Sequence, residues 1–354
     1  MAETAKNKPR QRRKTAAAKP ANVNVALQGG GAHDAFTWGV LDRILEDGRI
    51  GFEGVSGTSA GAINAVVLAD GFAEDGPDGA RAALERFWYA VSVAGRASPI
   101  QRSPIDQFFG NWNLDVSPAY IAFDLMSRLV SPYELNPLNI NPLRDLVADN
   151  VDFDRVRACT ELKLFLSATN VHSGKVKVFT GDEITPDSVM ASAYLPHLYH
   201  AVEIDGVPYW DGGYSGNPAL FPFHYSCTTD DLLLIQINPI ERLETPTSAR
   251  EILNRMNEIS FNSSLLKELR AIEFVARLID EGALDRGHYS QVRLHRIDGG
   301  ETLAELQASS KMNVEWAFFT MLRDKGRDAA SGWLDAHAHQ VGTESSLPIR
   351  SLFE

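Results

Sequence analysis

Two glycine-bracketed turns, each closing an apolar strand and opening a helix, constrain this 354-residue chain more than any other feature. The first is Gly29-Gly30-Gly31, after Asn22-Val23-Asn24-Val25-Ala26-Leu27. The second is Gly57-Thr58-Ser59-Ala60-Gly61, after Phe52-Glu53-Gly54-Val55-Ser56. A G-x-S-x-G turn between strand and helix fits a nucleophile elbow, whose sharp bend lifts a serine hydroxyl clear of the backbone. Its glycines are needed because the bend brings neighbouring main chain to where a Cβ would clash. The first turn can supply backbone N–H donors for the negative oxygen formed when such a serine attacks a carbonyl. A nucleophile in one turn and an oxyanion hole in the other point to acyl hydrolysis or acyl transfer.

Composition narrows the setting. Hydrophobic residues make up 44% of the chain, enough for a sizeable core, and the length suits two domains or one large α/β domain. No apolar run reaches the roughly 18 residues of a membrane span. The N-terminal stretch lacks the apolar middle of a secretory signal. Cys159 and Cys227 are the only cysteines, too few for a disulfide framework or a cysteine-rich zinc site, so a reducing cytoplasm is the simplest location. Net charge is −12, yet Lys6, Lys8, Arg10, Arg12, Arg13, Lys14 and Lys19 stand against only Glu3 in residues 1–20. That tail reads as a solvated disordered segment or, more sharply, as an electrostatic tether giving peripheral contact with anionic lipid. Nucleic acid is a poor partner, because no aromatic residue interleaves the basic ones and the rest of the chain is acidic.

Beyond the tail the spacing predicts strand 22–27, a helix over about 34–47, strand 52–56 and a helix over about 59–70. Alternating β and α of this kind predicts a parallel sheet with helices on its faces. Residues 95–141 differ: Pro99, Pro104, Pro118, Pro132, Pro137 and Pro142 punctuate apolar residues such as Phe108, Phe109, Trp112, Tyr120 and Phe123. This insertion reads as a lid, an acyl-chain pocket wall or a packed irregular segment. Strand patterns return at 162–168 and 175–180, joined by a hairpin loop, then at 231–237 and 291–297. A capping box at Ser248 and Glu251 opens a helix reaching about Asp280. Ile252, Met256, Ile259, Leu266, Leu269, Ile272, Val275 and Ile279 form its apolar stripe, read as core packing. A last helix carries Trp316, Phe318, Met321 and Leu322, in an extension over 301–354 expected to pack on the same domain, 21–300.

The serine needs a base. Nine histidines leave room for a Ser-His-Asp triad, but the elbow comes after only two strands, earlier than an α/β-hydrolase places it. The sharper candidate is Tyr209-Trp210-Asp211-Gly212-Gly213, where a carboxylate in a tight turn could take the Ser59 proton directly. Burial beside the elbow would raise its pKa towards the range of a general base.

These residues carry a resemblance. The chain resembles the patatin-like phospholipases of bacterial type through four features in order. They are Gly29-Gly30-Gly31-Ala32-His33-Asp34, then Gly57-Thr58-Ser59-Ala60-Gly61, then Ala191-Ser192-Ala193-Tyr194-Leu195-Pro196, and last Asp211-Gly212-Gly213 with Asn217-Pro218. Any one is weak alone; four in order over residues 22 to about 220 are specific. The resemblance implies a three-layer α/β/α fold with a mostly parallel sheet and a serine acyl hydrolase. It implies Ser59 as nucleophile, Asp211 as base and the Gly29, Gly30 and Gly31 amides as oxyanion donors, with Ala60, Gly61, Gly212 and Gly213 beside a lipid ester substrate. Neither a metal nor a cofactor is called for. Acyl transfer or thioester hydrolysis could use the same elbow.

One departure from the family pattern matters. Position 34, usually glycine, is Asp34, and His33 stands where many members carry Arg or Lys. Asp34 could be a favourable acid at a helix N-terminus. Alternatively its charge could oppose the oxyanion by about 2 kcal/mol at roughly 8 Å and an effective dielectric of about 20. That corresponds to about thirtyfold in rate. A glycine at 34 is then expected to raise turnover, and a non-catalytic lipid-binding role stands as the rival. His197 and His200, just after the Ala-Ser…Pro segment, are further candidates to line the site.

Overall fold

The computed structural model describes residues 20–286 and 288–353. All but the last residue of the basic tail lies outside the described residues, and with it the expected disorder or lipid tethering. One mixed sheet organises the rest. Its strands are β1 (Ala21–Leu27), β2 (Ile50–Thr58), β3 (Lys163–Asn170), β4 (Val176–Phe179), β5 (Val202–Ile204), β6 (Val207–Asp211), β7 (Asp231–Gln236) and β8 (Arg293–Asp298). Hydrogen-bonded neighbours run β5-β6-β3-β2-β1-β7-β8, and β4 pairs with β3. The pairs β3–β2, β2–β1, β1–β7 and β7–β8 are parallel, while β4, β5 and β6 form antiparallel pairs.

The central strands are buried on both faces, which is why β1 and β7 read as nearly continuous apolar runs. Val23, Val25 and Leu27 of β1 share one core with Leu233 and Ile235 of β7. Against it lie α1 (Ala35–Asp47), α2 (Ala60–Gly95) and, late in the chain, the helix Trp316–His337. Ala26, Leu232 and Leu234 point the other way, towards helices Phe221–Ser226 and Ala249–Asp280. The result is helix, sheet, helix: three layers.

The insertion after α2 is more regular than its prolines suggest. Helices α3 (Pro104–Phe108), α4 (Pro118–Leu129), α5 (Pro132–Leu135) and α6 (Pro142–Asn150) each begin on one of those prolines. Ser103, Ser117, Ser131 and Asn141 stand at the preceding cap positions. Proline at the first helical position costs nothing, because that N–H has no partner within the helix. Ser-Pro and Asn-Pro here start helices; they do not break them.

Next along the chain come α7 (Phe153–Ala158), α8 (Pro186–Ala193), α9 (Phe221–Ser226) and α10 (Ala249–Asp280). In α10 the capping box forms as the sequence indicates. Its apolar stripe divides, however. Leu269, Ile272 and Ile279 are buried, with Leu265 in place of Leu266, whereas Ile252, Met256 and Ile259 are exposed. Among the described residues no helix is long and apolar enough to cross a membrane.

After α11 (Gly300–Glu305), α12 (Trp316–His337) crosses α1 backbone to backbone. A Cβ on Gly39 would lie 1.9 Å from the Arg323 carbonyl oxygen, and one on Gly326 would lie 2.1 Å from that of Phe36. Both contacts are with main chain and cannot be relieved by a rotamer change. Gly326→Ala should therefore lower unfolding free energy by about 1–3 kcal/mol, read as a lower urea midpoint at unchanged slope. Gly332→Ala in the same helix has open space around its Cβ. It should be neutral or stabilise by up to about 1 kcal/mol.

Candidate active site

Ser59, between the end of β2 and the start of α2, has φ 57° and ψ −127°, a left-handed conformation that costs a non-glycine residue about 1–3 kcal/mol. Close main-chain packing holds it there. A Cβ on Gly57 would lie 2.5 Å from the Gly61 carbonyl oxygen, and one on Gly61 2.5 Å from that of Leu27. The Ser59 N–H donates to Ser192 Oγ at 3.0 Å, and that hydroxyl donates to the Ser167 carbonyl at 2.6 Å. The Ala-Ser…Pro segment thus buckles the elbow to β3. Ser59 is half-buried, at the first turn of α2, whose free N–H groups favour negative charge.

Strand register brings Asp211 to the same place. Ser167 pairs with Thr58 of β2 and with Val178 of β4; Ala168 pairs with Asp211 of β6 and with Lys177 of β4. Since β4 lies on one edge of β3 from Leu166 to Thr169, across this junction, β2 and β6 share the other edge, end to end. Where the elbow leaves that edge, the acid enters it one residue later. Thr58 Oγ1 donates to the Gly216 carbonyl at 2.7 Å and Ser56 Oγ to that of Ala219 at 2.6 Å, so β2 also grips the chain beyond the acid.

The Asp211 carboxyl is fully buried, and burial pushes its pKa up to about 6. The Gly213 N–H, the Ser59 hydroxyl and the charge of Lys311 each pull it down. Oδ1 accepts from Gly213 N at 2.7 Å, while Oδ2 makes no hydrogen bond of good geometry. The serine hydroxyl therefore faces the carboxyl closely enough to favour its ionised form without a well-formed bond. Such contacts commonly tighten only when substrate is bound.

The glycine turn lies against the elbow: a Cβ on Gly29 would be 2.6 Å from Ser59 Cβ. Gly31 has φ +62° and needs to be glycine. The Gly29 amide is already committed, donating to Asn217 Oδ1 at 2.8 Å. That narrows the three expected donors to Gly30 and Gly31. Of the residues expected beside substrate, only Ala60 is partly exposed. Gly61, Gly212 and Gly213 are buried, and a Cβ on Gly212 would meet the Ser167 carbonyl at 2.1 Å, so these glycines are packing spacers.

Asp34 fits without strain, at φ −68° and ψ −5°, but its carboxyl is fully buried beside Gly30. Burial raises its pKa well above the usual carboxylate range, opposed by the Gly30 N–H, Lys311 and Thr37, and reinforced by Asp211. The carboxyl therefore carries less charge than its formal count implies, and on ionising it draws on the Gly30 amide. His33 bonds to Ser310 Oγ at 2.7 Å and is held neutral by burial, with Lys311 and Arg242 adding to the effect. His200 stacks on Tyr133 of the insertion at 4.0 Å, and neither it nor His197 hydrogen-bonds Ser59 or Asp211.

Sequence reasoning missed the polar scaffold behind the turn. Asn238 donates to the Gly29 carbonyl at 2.8 Å and accepts from Lys311 Nζ at 2.7 Å, and Gln28 accepts from the Asn238 N–H. No motif marks these positions; only the fold shows that they converge.

A family model described as Patatin-like phospholipase matches residues 25–224. No curated protein matches the chain significantly. Among solved structures the chain is similar to VipD from Legionella pneumophila, at 14% identity and TM-score 0.40, over 90% of this chain and 67% of that one. It is similar to a chain of full-length SpcU in complex with full-length ExoU from the type III secretion system of Pseudomonas aeruginosa, at 16% identity and TM-score 0.30, over 90% and 54%. It is also similar to a separate structure of the type III effector protein ExoU, at 15% identity and TM-score 0.35, over 92% and 54%. The chain thus spans just over half the length of these last two.

Asp34→Ala removes the acceptor beside Gly30 and suits the right-handed backbone there. Turnover of a short nitrophenyl ester should rise several-fold at the upper end of the pH range, where the wild-type carboxyl is most ionised, and change less at the lower end. A kcat–pH profile of the purified pair checks this.

Proposed function

The chain belongs to the patatin-like phospholipase family of lipid ester hydrolases, and on that premise we propose that it cleaves phospholipid or lysophospholipid carboxylic esters with Ser59 as nucleophile and Asp211 as base. One observation carries the reading: the end-to-end pairing of β2 and β6 along β3, which sets a buried carboxyl beside a strained serine. Ser59 Oγ attacks the ester carbonyl carbon as its proton passes to Asp211. The tetrahedral oxyanion faces the Gly30 and Gly31 amides and the positive end of α2. Collapse breaks the C–O bond, and Asp211 returns the proton to the departing alcohol. Water, deprotonated by the same carboxylate, then releases the acid from the acyl-enzyme.

The insertion favours lipid over small esters. It reaches both flanks of the site. On one, Leu114 N donates to Ser309 Oγ, next to the residues packed on the glycine turn; on the other, the Tyr133 hydroxyl accepts from Ala201 N, just ahead of β5 and β6. Around these anchors, within the same insertion, Phe108 (84% exposed), Leu138 (80%), Phe109 (76%) and Leu129 (73%) are open to solvent. So many large exposed apolar groups on one insertion suit contact with acyl chains.

Ser59→Ala should abolish labelling by a fluorophosphonate probe, and Asp211→Asn should cut kcat by about 10²–10⁴, while no single His→Ala change does either. The base works only when ionised, so kcat/KM should be full above about pH 6 and fall as pH drops through that value. Loss of labelling in one His→Ala variant would replace this reading with a triad.

A further inference from the structure

The turn Ala308–Met312 lies outside the family match, yet it forms the outer wall of the glycine turn. The Lys311 carbonyl oxygen would be 2.8 Å from a Cβ on Gly31, so its main chain rests directly on that residue. Its neighbour Ser310 holds His33. The Lys311 side chain then wraps behind the turn: Nζ donates to Asn238 Oδ1 at 2.7 Å, and Asn238 Nδ2 donates to the Gly29 carbonyl at 2.8 Å. One residue thereby touches Gly31 with its backbone and reaches Gly29 through a single amide.

We propose that Lys311 is a positioning residue for the hydrolytic site: tethered through Asn238, its ammonium fixes the glycine turn and supplies a positive field to the Asp211 carboxylate and the forming oxyanion. The proposal rests on the Ser59–Asp211 reading above. The surroundings fit it. Lys311 is half-buried as a residue, and burial of its ammonium lowers its pKa; Glu258 of α10, Asp34 and Asp211 raise it, and Arg242 lowers it. Glu258 bonds to Arg242 and Arg255, so much of its charge is met locally. Among the described residues the charged or titratable groups around Asp211 are Lys311, Asp34 and Tyr214, and of these only Lys311 favours the ionised base. His33, between the two turns, is neutral and contributes no competing charge.

The test measures kcat, KM and the pH profile of kcat/KM on a short nitrophenyl ester, with thermal melts and fluorophosphonate labelling, for wild type, K311M, K311Q and K311R. In K311M kcat should fall at least tenfold with KM nearly unchanged, and the acid limb should move up by about half a pH unit or more. K311Q keeps a donor for Asn238 without the charge, so it should shift the limb as K311M does and carries the same reading if K311M fails to fold. K311R should keep the wild-type limb. A purely structural lysine would lower the melting temperature in all three variants and leave every limb in place; that result overturns the proposal. So does a limb shifted equally in K311R and K311Q. If wild type itself escapes the probe, the Ser59 reading fails first and Lys311 falls with it. If wild type is labelled and active while the limb of K311Q stays put, Lys311 alone is refuted.

Discussion

Main chain approaching main chain more closely than a Cβ permits is the constraint on which the rest of this structure depends. The elbow at Ser59 exists because Gly57 meets the carbonyl of Gly61, Gly61 meets that of Leu27, and Gly29 rests on Thr58. Each contact removes a degree of freedom from the turn, and together they hold a backbone conformation that serine avoids when free. A flexible loop could not hold this arrangement, because relaxation into a right-handed or extended conformation would turn the hydroxyl away. The site is thus built mainly from backbone, and side chains decorate it.

The second ingredient is sheet geometry. Asp211 is far from Ser59 in sequence, but β6 takes over the β3 edge where β2 lets go. No side chain has to reach. A fully buried carboxyl would ordinarily prefer to be neutral. The Gly213 amide, the serine hydroxyl and a nearby ammonium hold it near the middle of the useful range, where it can be both ionised and basic.

How much of this was legible in the sequence depends on how local the cause is. The two glycine turns, the strands leading into them and the acid before Gly212 and Gly213 announce themselves, because short-range sterics dictate residue type. Proline is legible as punctuation, but the sequence does not show what it punctuates: after Ser103, Ser117, Ser131 and Asn141 it starts a helix. The stripe on α10 was read as uniform, though only packing against the sheet from Asn262 onward decides which turns are covered. The Gly29 amide looked available until Asn217 was placed beside it. Lys311, Asn238 and Ser192 were opaque as contributors, since an isolated polar residue looks alike whether it ends in water or behind a turn.

The crossing of α12 over α1 has a mechanical consequence. The glycine turn runs straight into α1, and the wall carrying Lys311 runs straight into α12, so the two helices are the handles of one clamp. With Gly39 and Gly326 interlocked at backbone contact, the jaws share a single pivot and keep a fixed gap. Because both handles are buried in the core they share with β1 and β7, a side chain forced into the pivot is felt in the packing of the sheet and at the mouth of the clamp alike.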